Sequence, residues 1–147
     1  MSMRVDFYLL DRDPAEAVAV LLARAAKQAG ERVLVVSGDA EQRMRIDQAL
    51  WTAAPEAFLA HGTAGEGHEE RQPVLIADDL TAANAAKFVI LADGKWREES
   101  ARFDRAFLLF GEDRRQDARE CWTALGKEAA MERHFWKQEG GKWREMG

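Results

Sequence analysis

An apolar strand followed by an amphipathic helix occurs twice in succession at the start of this chain, and that succession restricts the fold more than any other feature. Arg4 to Leu10 (RVDFYLL) is a β-rich apolar run ended by Asp11-Arg12-Asp13, the pattern of a buried strand. Asp13-Pro14-Ala15-Glu16 is a helix start, with Asp13 as cap, Pro14 in the first turn and Glu16 at the capping-box position. Val18, Leu21, Leu22, Ala25 and Ala26 then recur at helical spacing until Gly30 stops the helix. The second unit is Arg32 to Val36 (RVLVV), followed by a helix opened by Asp39 and Gln42 whose Met44, Ile46, Ala49 and Leu50 turn inward. Two such units in series predict a parallel sheet with crossover helices.

Further strands are expected at Val74 to Ala77, Phe88 to Leu91 and Ala106 to Phe110, with a short helix over Trp96 to Phe103. Ala60 to Arg71 (AHGTAGEGHEER) has the Gly and charge content of an exposed loop. A helix is expected from Glu112 to about Leu125, with a continuation open through Gly126 to Gln138, and the tail closes on Gly140-Gly141-Lys142-Trp143. The expected fold class is α/β: a single three-layer domain over residues 1–147, with a mostly parallel sheet of about five strands flanked by helices. It is Rossmann-like without a glycine-rich nucleotide loop, because the turn after the first strand is DRDP.

Charge narrows the classes of partner. The net charge is −5, yet 8 of the 21 Lys and Arg and only 7 of the 26 Asp and Glu fall in residues 113–147. A surface that grips nucleic acid throughout is therefore not expected, and an anionic partner would favour the C-terminal third. No apolar run approaches the ~20 residues of a membrane helix. Met1 to Asp13 does not read as a signal peptide, so the expected location is cytoplasmic. The lone Cys121 has no cysteine partner and reads as an ordinary helix residue.

One catalytic pattern is present. Asp11 and Asp13 follow the first strand as hhhhDxD, resembling haloacid-dehalogenase-type phosphatases, with Ser37 and Asp78-Asp79 in the positions of that family's hydroxyl and magnesium-binding carboxylates. Phosphoryl transfer needs a cation, and no Lys occurs between Ser37 and Asp79. The same acids are explained separately as helix caps and a polar turn. His61, His68 and His134 are too scattered for a metal motif and are expected to be solvated.

A series of local phrases points elsewhere: FYLLD at Phe7 to Asp11, GERVLVV at Gly30 to Val36, RIDQALW at Arg45 to Trp51, FLAHG at Phe58 to Gly62 and WKQEGGKW at Trp136 to Trp143. In this order, and at this length, they resemble the chi subunit family of bacterial DNA polymerase III. The resemblance implies a protein without catalytic activity, cofactor or metal. It also implies a monomer within a heteromeric complex that binds two partners, the psi subunit and the C-terminal tail of single-stranded DNA-binding protein, and meets DNA mainly through the latter.

The same resemblance assigns residues. Arg115, Arg119 and Trp122, at i, i+4 and i+7 of the last helix, match the family's tail-binding positions, and Leu108 matches an apolar member of that pocket. Arg119 has the forked donor set suited to a terminal carboxylate. Cys121-Trp122-Thr123 stands where better-known relatives carry basic, aromatic and basic residues, so cationic charge is missing beside Trp122, with Lys127 or Arg133 as replacements. Trp51 and Phe58 match an aromatic patch for psi. Direct stacking of DNA on Trp96, Trp136 and Trp143 is a third class, diluted by Glu98, Glu99, Glu139 and Glu145.

Overall fold

Val33–Val36, Val74–Ala77 and Phe88–Leu91 carry apolar side chains at consecutive positions. Such strands need cover on both faces, and they pair in parallel near the middle of one sheet. The computed structural model describes residues 3–52, 60–128, 130–139 and 141–146. In chain order its elements are β1 (Met3–Leu9), α1 (Ala15–Gln28), β2 (Val33–Val36), α2 (Ala40–Thr52), β3 (His61–Thr63), β4 (Val74–Ala77), β5 (Phe88–Leu91), β6 (Arg105–Phe110), α3 (Arg115–Leu125), β7 (Met131–Glu139) and β8 (Lys142–Glu145). The sheet order is β3-β4-β2-β5-β6-β1-β7-β8, parallel throughout except for the last pair.

The α/β class and the three layers are as expected. One core cluster packs α1 and α2, through Val18, Ala19, Ala23, Ile46 and Leu50, against one face of the sheet. The other packs Ala118 and Leu125 of α3 against Phe7, Leu34, Leu108 and Phe110 on the opposite face. Each large aliphatic side chain removed from water here stabilises the fold by about 1.5–3 kcal/mol.

Among the described residues the sheet has eight strands rather than about five. The main correction lies at Met131–Glu139, where a continued helix was open and a strand parallel to β1 is found. Met131 and Phe135 face α3, whereas Trp136 faces α1, a period of two that only a strand supports. Gly126 caps the end of α3, its N–H donating 3.1 Å to the Trp122 carbonyl, and the chain turns back through Met131 N–H, which donates to the Glu128 carbonyl.

Three smaller expectations also change. Asp13 makes no helix cap; its Oδ2 accepts 2.8 Å from Nε2 of Gln138, while Gln138 Oε1 accepts from the N–H groups of Arg12 and Asp13. The new strand thus claims the carboxylate that α1 was expected to use. Leu21 and Met44 point outward rather than inward. His61 is not solvated: it begins the short edge strand β3, its side chain is 1% exposed, and its ring lies 2.9 Å from Asp47.

Candidate functional site: an aromatic recess beside helix α3

A single 11-residue helix, about 16 Å long, is the only α-helix on its face of the sheet among the described residues. Of the aromatic side chains that rise from the sheet on this face, Phe7 of β1 and Phe110 of β6 are buried, whereas Phe135 of β7 stays partly exposed. Phe7, Phe110, Trp122 and Phe135 meet edge to face or tilted, with centroid separations of 5.2 Å for Phe7–Trp122, 6.5 Å for Phe7–Phe110, 6.2 Å for Phe110–Phe135 and 6.3 Å for Trp122–Phe135. They floor a recess of about 440 Å³ whose rim carries Arg115, Ala118, Arg119, Thr123 and Met146.

The helical spacing of Arg115, Arg119 and Trp122 thus translates into one site. The two cations differ in their engagement. Arg115 Nη1 donates to Glu112 at 3.1 Å, and both side chains remain exposed to water, so the pair contributes little to stability. Arg119 is exposed and has neither hydrogen bond nor ion pair among the described residues, which leaves its guanidinium available at the mouth. Lys127 shares a shallow groove with Arg119 and Thr123 along the outer side of the helix.

Arg133 is placed differently from Lys127. Its Nη1 donates 2.7 Å to the backbone carbonyl of Trp122, and its guanidinium carbon lies 4.3 Å from the centre of the Trp122 ring. The cation buttresses the indole and does not line the recess.

Leu108 does not reach this recess. It is fully buried on β6 and borders a separate groove on the other flank of α3, with Trp96, Arg114 and Cys121. In that setting burial, helped by Glu98, pushes the Cys121 thiol up to about 11, so it stays protonated and inert at neutral pH.

Sequence reasoning missed Phe7, Phe110 and Phe135. Alternation along β1 and β6 would have put Phe7 and Phe110 on the face shared with α3, but nothing in the sequence declared that face thinly covered. Phe135 was lost with the strand that carries it.

The remaining expected residues fall elsewhere. Trp51 ends α2 with 54% of its surface exposed and its ring 4.7 Å from that of His61. Phe58 lies outside the described residues. Trp136 stacks on Tyr8 at 5.9 Å and donates to Asp6, and Trp143 meets the same tyrosine edge-on at 5.1 Å. Those two indoles are used within the fold and do not form an open stacking platform. Of the phosphatase-like residues, Asp13 is bonded to Gln138 and the buried Ser37 hydroxyl to Gln42.

The most buried charge is Asp6, wholly inaccessible on β1. It accepts from Arg4 at 3.0 Å and 3.1 Å, from Arg105 at 2.8 Å and from the Trp136 indole at 3.0 Å. Burial pushes its carboxyl up, but these donors outweigh it and hold the group below the usual carboxylate range. Asp6 ties β1 to both neighbours, β6 and β7, on the face away from the recess.

Residues 1–133 match the profile of the family described as DNA polymerase III chi subunit, HolC. The chain is 32% identical over 131 residues to DNA polymerase III subunit chi of Escherichia coli, covering 80% of this chain and 87% of that protein. It is 29% identical over 80 residues to the subunit of the same name from Haemophilus influenzae, covering 52% of this chain and 56% of that protein. With the Pseudomonas aeruginosa subunit it shares 39% identity over 69 residues, 45% of this chain and 49% of that protein.

Proposed function

This chain belongs to the DNA polymerase III chi subunit family, and from that membership we propose that it is a non-catalytic adaptor of DNA replication that binds the acidic C-terminal tail of single-stranded DNA-binding protein. The observation that carries this reading is the pairing of an aromatic recess with the unengaged Arg119 at its mouth. A peptide ending in an apolar residue offers both complements: a side chain to bury among Phe7, Phe110, Trp122 and Phe135, and a terminal carboxylate for the forked guanidinium. Acidic residues preceding that end would meet Arg115 and Lys127, which flank Arg119 on the exposed side of α3. Because Arg133 is committed to Trp122, Lys127 is the better substitute for the cationic charge missing beside Trp122.

A second contact, with a psi subunit, is proposed at the exposed Trp51 on α2, together with Phe58. Trp51 lies on the opposite face of the sheet from the recess, since α2 and α3 pack on different faces. One adaptor can then hold both partners at once, which is what a tether between replication machinery and coated template requires.

Calorimetry with the host's single-stranded DNA-binding protein tests the first contact. Binding to the intact protein and none to a version lacking its acidic tail is expected; equal heats with both would overturn the assignment.

A further inference from the structure

The recess has one wall that the family match does not contain. The profile ends at residue 133, whereas Phe135 and Met146 both line the cavity. We propose that the β7–β8 hairpin adds Met146 as a specificity-determining wall that closes over the last side chain of a bound acidic peptide. The proposal rests on the tail-binding reading above and extends it to a residue outside the matched segment.

The hairpin's register sets the direction of Met146. On β8, Trp143 packs against Tyr8 and Glu145 pairs with His134, so both point to the α1 face. Alternation sends Met146 to the α3 face. Its backbone N–H donates 2.7 Å to the Phe135 carbonyl, which fixes the main chain beside an aromatic wall of the recess. The residue is nevertheless 54% exposed. A methionine left half in water at the rim of an aromatic cavity loses exposure when a guest enters.

Chemistry favours this residue for the task. Three rotatable bonds and a polarisable sulfur let a thioether fit an aromatic or branched guest and make a favourable contact with a ring. Arg119 stands on the helix side of the mouth and Met146 on the hairpin side. The cation therefore reads the carboxylate, and the methionine reads the size of the side chain next to it.

A double-mutant cycle separates this role from general damage. Wild-type chain and Met146→Ala are titrated with two fluorescein-labelled acidic peptides, identical except that one ends in phenylalanine and the other in alanine. The substitution is expected to weaken the phenylalanine peptide about three- to tenfold and to leave the alanine peptide unchanged. Met146→Leu is expected to restore most of the loss. Equal losses with both peptides, no loss, or tighter binding by Met146→Ala would overturn the proposal while leaving tail binding intact. Failure of the wild-type chain to bind either peptide would instead remove the tail-binding reading and this proposal with it.

Discussion

The guanidinium of Arg133 lies over the ring of Trp122, 4.3 Å from its centre, and donates 2.7 Å to the same residue's backbone carbonyl. One side chain thereby closes the C-terminal end of α3 and presses the indole against Phe7. Arg133→Ala removes a cation–π contact and a hydrogen bond together, a loss of about 1–2 kcal/mol. Urea unfolding should show that decrease, and acidic-peptide affinity should fall as the Trp122 wall loosens. Arg133→Lys should recover part of both, because the ammonium can sit over the ring but cannot reproduce the planar fork.

Acid sensitivity should trace to Asp6. Its folded-state carboxyl is held below the ordinary Asp value, so its contribution is fully present above about pH 4 and is lost as pH falls through the depressed value. Asp6→Asn should flatten the acid limb of a stability–pH curve. At neutral pH the change should cost about 3 kcal/mol, because Arg4 and Arg105 lose the buried charge that pairs them and one of the two oxygens joining the three strands becomes an NH2 donor.

His134 gives the opposite sign. Its hydrogen bond to Glu132 raises its pKa, burial opposes this, and Glu145 adds to the rise. Arg4, nearby, disfavours the charge, and Asp6 lies opposite on β1. The contribution is complete below about pH 6.5 and is lost as pH rises through the elevated folded value. Since Glu145 precedes Met146, β8 should loosen at high pH. Affinity for a peptide ending in phenylalanine should fall between pH 6 and pH 9 in the wild-type chain, and this dependence should be absent in His134→Gln.

Trp51 should separate the two partner surfaces. It is more than half exposed, so Trp51→Ala should change stability by less than about 1 kcal/mol. Co-purification with a psi subunit should be lost, whereas acidic-peptide binding should be unaffected. Loss of both activities would mean that the two surfaces are not independent.

The parts of this fold that sequence could deliver were those governed by uniform apolar runs or strong turn signals. Val33–Val36 and Phe88–Leu91 can only be buried strands, and Gly30, with φ of 79°, stops α1 where expected. Met131–Glu139 resisted because Gln138 is a buried polar residue satisfied by Arg12 and Asp13, distant in sequence, and the partly buried His134 pairs with Glu145 on the neighbouring strand. Such pairings leave no periodic apolar trace. For the recess, the helix positions Arg115, Arg119 and Trp122 were legible from spacing and resemblance, whereas Leu108 was assigned to the wrong side of α3. Which flank of a helix a strand residue serves depends on the helix's lateral position over the sheet, and no local pattern encodes that.

The most direct test of the account is fluorescence anisotropy of a labelled peptide copying the acidic C-terminal tail of the host's single-stranded DNA-binding protein, titrated with wild-type chain and with Arg119→Ala. Saturable binding that weakens with salt and falls about tenfold or more in Arg119→Ala is the predicted result. Undiminished binding by Arg119→Ala, or none by the wild-type chain, would contradict the assignment of the recess beside α3.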